Sequence, residues 1–306
     1  MNIHHHPSVV SHPEHKAFAP RIGARACACA AALALAFVAS TLHAQTTPYQ
    51  NAVLSQSPLL YWTFDEPSGN AHSLVNDVAA NELQPLGTAT RAASIATPGG
   101  LSLGSAAYFP LPNASAGGRF YAANLAPTVT ISNYAIEFWI NLDNSVTNQY
   151  ISENRGAPNE PGAIYNFRPD RLEFFGGNRT GAPATPNLWH HVVAGYYGTG
   201  GSLQIYLDGV QIASTLAGDT PFTRSHVFEQ LSIGGVIQGD NVNPAKGFID
   251  EYAIYDLSGF ADLPARQGHV AKIAEHYTAV PEPGAVAFFA MAGVAAAARR
   301  NRGWRW

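Results

Sequence analysis

Cysteine is nearly absent from this chain of 306 residues. The two that occur, Cys27 and Cys29, both lie in an apolar run near the N-terminus, residues 27–39. A mature chain without that run has no thiol, which excludes an internal disulfide. A chain of this length can bury most of its apolar surface, so its stability must come from its core.

Charged residues are also scarce, at 12% of the chain against 46% hydrophobic, while the chain contains 28 glycines and 21 prolines. This composition favours short strands joined by many turns over helices. Positive charge is lacking in the body, because residues 45–279 carry 19 Asp and Glu against 10 Lys and Arg, a formal charge of −9. An acidic body lacks the clustered cations that hold a phosphate backbone, which excludes nucleic acid as a partner.

The N-terminal end has the order of a secretory signal. Basic residues precede the apolar run of residues 27–39, which is too short to span a bilayer stably, and small residues follow it. We expect cleavage after Ala44, so residues 1–44 form a signal peptide that delivers the chain to the Sec export machinery. The histidines before Lys16 build no stable metal site in a segment that is removed.

The C-terminal end, residues 280–306, consists of three sequence parts that follow one another in a recognisable order. A Pro-Glu-Pro motif is followed by an uncharged run of 15 residues, 284–298, and by an arginine-rich tail. A helix of that length spans about 22 Å, which falls short of a ~30 Å hydrocarbon core. A helix that barely spans the bilayer favours a temporary membrane anchor over a permanent one. The arginines favour an orientation with the tail in the cytoplasm and residues 45–279 on the other side of the membrane. The candidate sorting residues are Pro281, Glu282, Pro283, Arg299 and Arg300.

This succession of motif, apolar run and basic tail resembles the PEP-CTERM sorting signal of Gram-negative bacteria with exopolysaccharide systems. The resemblance implies that an exosortase, a membrane-embedded transpeptidase-like enzyme, recognises the Pro-Glu-Pro motif and removes the tail. It implies transient anchoring in the inner membrane by the short transmembrane helix, and then a location at the cell surface or outside the cell. An unprocessed membrane anchor and a buried core helix are the alternative interpretations of the same run.

Residues 45–279 between the two ends have the pattern of one all-β domain. Alternating or apolar runs are separated by Gly, Pro, Asn and Asp about every 8–12 residues, as in a β-sandwich. The clearest unit is residues 189–214, where three antiparallel strands are predicted. Asp208-Gly209 joins the second strand to the third, and this residue pair best tolerates positive φ in a tight hairpin.

The same unit carries a resemblance to laminin-G-like (concanavalin A-like) jelly-roll domains. Leu188-Trp189-His190-His191-Val192-Val193, followed by Tyr206-Leu207-Asp208-Gly209-Val210, looks like the W-H-H-V…Y-x-D-G-V hairpin of that family. Residues 61–66, 136–140 and 247–255 resemble its opening, next major and closing strands, and residues 263–277 its terminal helix. The resemblance implies a two-sheet antiparallel jelly-roll sandwich over nearly the whole body.

Histidine and tryptophan residues in this pattern invite a functional interpretation. His190 and His191 are adjacent in one strand, so alternation places them on opposite faces and they cannot chelate one ion together. The resemblance makes both structural. Trp62, Trp139 and Trp189 could stack against sugar rings, but we interpret them as buried anchors of the sandwich.

Acidic residues do not form the pattern of a glycosidase. Retaining glycosidases need two carboxylates about 5 Å apart, and the chain contains no Glu-x-Asp-x-x-Glu motif. Asp250-Glu251 is the nearest approach, but alternation would point these adjacent acids to opposite faces. We therefore predict that the protein is not an enzyme.

Calcium is the one cofactor that the sequence favours. An acidic body without thiols offers the oxygen ligands that calcium prefers, and the laminin-G resemblance implies one structural ion. The first and last strands of a jelly roll are usually neighbours, which would bring Asp77 near Asp250. We therefore predict Asp77 and Asp250 as calcium ligands.

The sequence thus predicts an exported, non-enzymatic protein of the cell surface or extracellular matrix. Its jelly roll would bind a glycan, such as exopolysaccharide or a surface glycan, or a protein. A secreted glycan-active hydrolase and a protein-adhesion module are the alternatives.

Overall fold

A computed structural model describes eleven segments of the chain. They are residues 47–93, 103–110, 118–143, 148–155, 163–168, 171–174, 178–179, 184–198, 202–213, 226–237 and 243–279. The predicted signal peptide and the predicted sorting segment, 280–306, lie outside them. No helix within these segments is long and apolar enough to cross a membrane.

The described residues form mostly strands, with few helices. The helices are α1 (Pro48–Ser55) and α2 (Leu263–Ala274), with 3-10 turns at Ala79–Asn81 and Glu275–Ala279. The strands are β1 (Leu60–Trp62), β2 (Gln84–Leu86), β3 (Thr90–Ala93), β4 (Ser105–Phe109), β5 (Arg119–Ala122), β6 (Val129–Ile131), β7 (Asn133–Leu142), β8 (Gln149–Arg155), β9 (Ala163–Arg168), β10 (Arg171–Phe174), β11 (Asn178–Arg179), β12 (His190–Tyr197), β13 (Ser202–Leu207), β14 (Val210–Ala213), β15 (His226–Phe228), β16 (Gln230–Ile233) and β17 (Gly247–Asp256).

Two antiparallel sheets make up the sandwich. The eight-stranded sheet has the order β14-β13-β12-β7-β17-β4-β3, with β1 also paired to β17. The seven-stranded sheet has the order β11-β10-β9-β8-β16-β5-β2, and β15 pairs with β6 in a small separate sheet. The predicted all-β, two-sheet antiparallel jelly-roll sandwich is confirmed.

The hairpin unit recognised in the sequence is present as β12, β13 and β14. Asp208 and Gly209 have φ values of 53° and 76°, so both residues of the tight turn adopt the left-handed conformation that this dipeptide tolerates. Asp208 Oδ1 also accepts a hydrogen bond from the His191 backbone N–H at 2.9 Å, and Asp208 Oδ2 lies 2.7 Å from His190 Nδ1. These bonds attach the turn between β13 and β14 to the start of β12.

Local signals in the sequence begin both helices. Thr47 caps α1 in a capping box, because its side chain accepts from the Gln50 N–H while the Gln50 side chain accepts from the Thr47 N–H. Asp262 caps α2 by accepting from the Ala265 N–H at 2.8 Å. The predicted terminal helix is confirmed, although Leu263, at its first position, is 38% exposed and does not reach the core.

The eight-stranded sheet has an apolar core on each face. Between the sheets lie large side chains such as Trp62, Phe109, Phe120 and Phe138. On the opposite face, α1 and α2 cover a second core whose members include Tyr49, Val53, Tyr61, Trp139, Trp189, Tyr255, Val270 and Ile273. Trp62, Trp139 and Trp189 are at most 3% exposed, so their interpretation as buried anchors is confirmed.

Candidate functional site beneath the N-terminal helix

A β-bulge in β17 places two carboxylates on one face of the sheet. The pairing of β17 with β7 shifts register between Asp250 and Ala253, and Glu251 has a φ of 53°. Asp250 lies opposite Trp139, and the Glu251 carboxylate accepts a hydrogen bond from the Tyr61 hydroxyl. Trp139 and Tyr61 both belong to the core beneath the helices, so both acids lie on that face.

The prediction that Asp250 and Glu251 point to opposite faces is therefore wrong. Side chains alternate strictly only in a regular strand, and the extra residue of a bulge puts two consecutive side chains on the same side. The neighbouring prediction for His190 and His191 is confirmed. His190 lies opposite Ile140 of the inter-sheet core, and His191 opposite Trp139 of the helix-covered core.

Asp65, which follows β1, is the third carboxylate at this place. Gln50 of α1 joins it to Glu251, because the Gln50 amide donates to Asp65 Oδ2 at 3.1 Å and to Glu251 Oε1 at 3.2 Å. The Ser105 N–H donates to Asp65 Oδ1 at 2.8 Å. A Cβ on Gly104 would lie 1.7 Å from that oxygen, so only glycine permits this close approach. We call Asp65, Asp250 and Glu251 the Asp250 cluster.

Burial raises the pKa of every member of the Asp250 cluster. Asp250 and Glu251 are both fully buried, and their pKa values lie well above the ordinary range because of desolvation and the charges of the neighbouring acids. Asp65 is solvent-exposed, yet desolvation still raises its pKa. Asp250 Oδ2 is buried and has no hydrogen-bond partner among the described residues. Without a cation beside it, this cluster therefore favours protonated carboxyl groups, and one of its buried oxygens has no partner among the described residues.

The chemistry of the Asp250 cluster fits a hard cation such as calcium, which takes oxygen ligands. Asp250 supplies a buried, unpartnered oxygen, and Asp65 lies at the solvent-exposed side of the cluster. Within the described segments, however, no three acidic, histidine or cysteine side chains surround one common point. A calcium ion there would need further oxygens from the backbone or water to complete its shell.

The predicted calcium ligand Asp77 is a surface residue. It follows β1 in the chain, its side chain is 61% exposed, and its carboxylate lies 3.5 Å from His72 Nδ1. The acids that act electrostatically on Asp250 are Glu251 and Asp65. The strand pairing that motivated the prediction is confirmed, because β1 pairs with β17, while the ion itself stays a prediction.

Glu137, in the middle of β7, forms a second buried cluster on the same face. Its Oε1 accepts from Tyr49 of α1 at 2.8 Å, from His191 Nε2 at 2.8 Å and from His276 Nδ1 at 2.9 Å. Its Oε2 accepts from the Tyr255 hydroxyl. We call these five residues the Glu137 cluster.

The Glu137 cluster keeps its carboxylate ionised. Burial alone would raise the pKa of Glu137, but the charge of His276 and the hydrogen bonds from His191 and His276 outweigh it and lower the pKa to about 2. Desolvation, together with the negative charge of Glu137, raises the pKa of Tyr49 and Tyr255 well above the ordinary value. Both hydroxyls therefore remain hydrogen-bond donors, and the cluster attaches both ends of the described domain to β7.

Sequence reasoning missed the Glu137 cluster. A single glutamate inside the otherwise apolar run Ile136-Glu137-Phe138-Trp139-Ile140 was the available signal, because a buried carboxylate requires partners. The predicted sorting residues Pro281, Glu282, Pro283, Arg299 and Arg300 lie outside the described residues.

Two antiparallel sheets with helices over one outer face define a jelly-roll domain. The profile of the concanavalin A-like lectin/glucanases superfamily matches residues 104–258, half of the chain. The chain therefore belongs to the concanavalin A-like lectin/glucanases superfamily. No curated protein matches it in sequence.

Solved structures resemble this chain at low sequence identity. One is domain 4 of an extracellular arabinanase from Geobacillus stearothermophilus in complex with arabinotriose, with 18% identity, a TM-score of 0.46 and coverage of 71% of this chain and 98% of that one. Another is a heptameric SAP-like pentraxin from Limulus polyphemus, with 12% identity, a TM-score of 0.39 and coverage of 51% and 75%. A third is the binding domain of botulinum neurotoxin serotype D/C, with 11% identity, a TM-score of 0.50 and coverage of 74% and 53%. The chain thus spans about half the length of the neurotoxin domain.

Proposed function

We propose that this protein is a non-enzymatic carbohydrate-binding module of the cell surface or extracellular matrix. The observation that carries the proposal is the burial of its paired acids. Asp250, Glu251 and Glu137 are each 0% exposed. Gln50 and Tyr61 occupy the oxygens of Glu251, and the other members of the Glu137 cluster occupy those of Glu137. Hydrolysis of a glycosidic bond needs an acid and a second carboxylate that both reach the sugar. Of the two activities in the superfamily's description, lectin and glucanase, the described carboxylates therefore favour binding.

A carbohydrate array probed with the full chain tests this proposal. We expect retention of at least one polysaccharide class without any release of reducing ends. Release of reducing ends would support the alternative, a glycan-active hydrolase, and contradict the non-enzymatic assignment. An array on which no carbohydrate is retained would contradict the binding assignment.

We propose further that the protein is exported and then processed at both ends. The support is the agreement of two independent sequence patterns, residues 1–44 and residues 280–306, on one orientation across the inner membrane. Sec would export the chain, and exosortase would remove the segment that follows the Pro-Glu-Pro motif. The jelly roll would then contact exopolysaccharide or surface glycans outside the cell.

A mass measurement on the protein recovered from its host tests both cleavages together. We expect a mass that lacks the residues up to Ala44 and the basic tail from Arg299 onward. A mature mass that retains the arginine tail would contradict sorting and favour the unprocessed anchor. A mass that retains residues 1–44 would contradict export through a cleaved signal.

We also propose one structural calcium ion at the Asp250 cluster. The unpartnered oxygen of Asp250 and the adjacent Asp65 and Glu251 carboxylates support it. Calcium would neutralise charge that burial otherwise disfavours, and so stabilise the attachment of α1 and β1 to β17. Asp77, the other predicted ligand, stays a prediction.

A further inference from the structure

Three aromatic rings lie side by side on the outer face of the eight-stranded sheet. Tyr108 of β4 lies directly opposite Phe248 of β17, and their rings stack at 29° with centres 4.7 Å apart. The ring of Trp189, just before β12, lies 6.0 Å from that of Phe248. Because β12 and β4 lie on opposite sides of β17, Phe248 lies between the other two rings. We call Trp189, Phe248 and Tyr108 the Tyr108 stack.

The Tyr108 stack runs from the core to the edge of the sheet. Trp189 is 3% exposed, whereas Phe248 and Tyr108 are half-buried. The next strand, β3, is the last in the described order of this sheet, and its exposed Thr90 lies directly opposite Tyr108. One face of the Tyr108 ring is stacked on Phe248. The other face is therefore turned toward the small side chain of Thr90, where solvent and a ligand can reach it.

The two helices pack against another part of this face. Val270 of α2 packs against β12 so closely that a Cβ on Gly195 would come within 2.8 Å of it. Tyr49 of α1 packs against Trp139 of β7, with ring centres 5.9 Å apart. Both β12 and β7 lie on the far side of β17 from β4 and β3. These contacts therefore leave the outer face of Tyr108 open.

The polar groups that flank the Tyr108 stack are uncharged or paired. Thr90 on one side and Asn141 on the other lie directly opposite members of the stack. Lys246, just before β17, and Asp143, just after β7, form an ion pair at 3.1 Å. The formal charge of −9 on residues 45–279 disfavours an acidic polymer. An aromatic surface with a few neutral polar groups suits a neutral ligand that is rich in hydroxyl groups.

We propose that the Tyr108 stack binds a neutral saccharide, with one sugar ring against the open face of Tyr108 and the Thr90 and Tyr108 hydroxyls bonded to sugar hydroxyls. The apolar face of a pyranose ring fits an aromatic face. Phe248 and Trp189 hold the Tyr108 ring in place before the ligand arrives, which reduces the entropy that binding costs. This inference rests on the proposed carbohydrate-binding function and names its site and its class of ligand.

The test measures retention of the full chain on neutral polysaccharides (xylan, arabinan, β-glucan and galactomannan) and on acidic polygalacturonate. We expect retention on at least one neutral polymer and none on polygalacturonate. On the retained polymer, Tyr108→Ala should weaken binding by about 10-fold. Tyr108→Phe keeps the stacked ring, so its affinity should stay within about 3-fold of that of the unaltered chain.

Tyr121→Ala is the matched control for this substitution. Tyr121 is also a half-buried tyrosine, but its neighbours Phe120 and Ala122 point into the inter-sheet core, so it lies on the outward face of the seven-stranded sheet. We expect this control to bind like the unaltered chain. Loss of binding in Tyr121→Ala alone would place the ligand on the other sheet and overturn the site.

Thr90→Arg blocks the open face of Tyr108 without altering the stack. An arginine there would lie over the Tyr108 ring, as Arg119 does over Tyr121 at 5.3 Å. Binding should therefore fall by about 10-fold. Because Thr90 is exposed, the melting temperature should stay unchanged, which separates loss of the site from loss of the fold.

Each contrary result overturns a different part of the proposal. Unchanged binding in both Tyr108→Ala and Thr90→Arg would overturn the site and leave the proposed function standing. Equal retention on polygalacturonate would overturn the neutral class. A dimer in sedimentation that Thr90→Arg dissociates would make a second copy of the chain the occupant and overturn the saccharide. Failure of the unaltered chain to bind any carbohydrate on the array would overturn the proposed function as well.

Discussion

Glu137→Ala should lower the free energy of unfolding by about 3–5 kcal/mol, the range found when one partner of a buried ion pair is removed. The substitution leaves the Tyr49, His191 and His276 donors buried without an acceptor. It also opens space beneath α1, where Tyr49 packs against Trp139 with ring centres 5.9 Å apart. Denaturant unfolding followed by tryptophan fluorescence measures the effect.

Glu275→Ala is the matched control for this substitution. Glu275 is exposed at the start of the C-terminal 3-10 turn, so its removal should change the free energy of unfolding by less than about 0.5 kcal/mol. Equal effects of the two substitutions would show that the Glu137 cluster contributes nothing beyond an ordinary surface carboxylate.

The low pKa of Glu137 also fixes the sign of its pH dependence. In the unfolded chain this group is protonated near its ordinary value of 4.5, and in the folded protein only near 2. The stability that Glu137 contributes is therefore complete above pH 4.5 and is lost as the pH falls towards 2. The difference in unfolding free energy between the unaltered chain and Glu137→Gln should shrink over that interval.

Calcium at saturating concentration should stabilise the unaltered chain but not Asp250→Asn. Binding to the folded state alone adds about 2.7 kcal/mol when the ion is at about 100 times its dissociation constant. Because the pKa of Asp250 is raised in the folded protein, the chain in chelator should lose stability as the pH rises above 3.8. Asparagine cannot ionise, so Asp250→Asn avoids this cost and should be the more stable protein in chelator at neutral pH.

Melting temperatures with calcium and with chelator measure these effects for each variant. Asp256→Asn, at an exposed position near the end of β17, is the control. Calcium should raise its melting temperature as much as it raises that of the unaltered chain. Asp77→Asn tests the ligand predicted from the sequence. If calcium no longer raised the melting temperature of this variant, Asp77 would be assigned to the calcium site. A melting temperature of the unaltered chain that does not respond to chelator would rule out the ion.

The elements that local sequence determines were predictable. Asp208-Gly209 accepts positive φ, so the turn between β13 and β14 follows from two residues, and Asp262 marks the start of α2 in the same way. The superfamily pattern also led to the correct pairing of β1 with β17. In each case the evidence lies either within a few neighbouring residues or in the order of the superfamily motifs along the chain.

The two buried clusters could not be predicted from the sequence, because the residues that form each cluster are far apart along the chain. Glu137 bonds to residues 88 and 139 positions away, Tyr49 and His276, and nothing local to either partner indicates the contact. The bulge at Glu251 is visible only in the structure, as a register shift and a positive φ, since the sequence has no glycine or proline at that point of the strand. Its effect was large, because one added residue moved a carboxylate to the other face.

The position of β17 has a consequence for the order in which the protein can fold. This strand lies between β7 and β4 in the eight-stranded sheet and also pairs with β1, although it is the last strand of the chain. A chain that emerges from its N-terminus, whether from a ribosome or from a membrane channel, therefore lacks the centre of its largest sheet until residues 247–256 have appeared. Pairings this distant form slowly, so the first 240 or so residues would pass through such a channel before the sandwich could close.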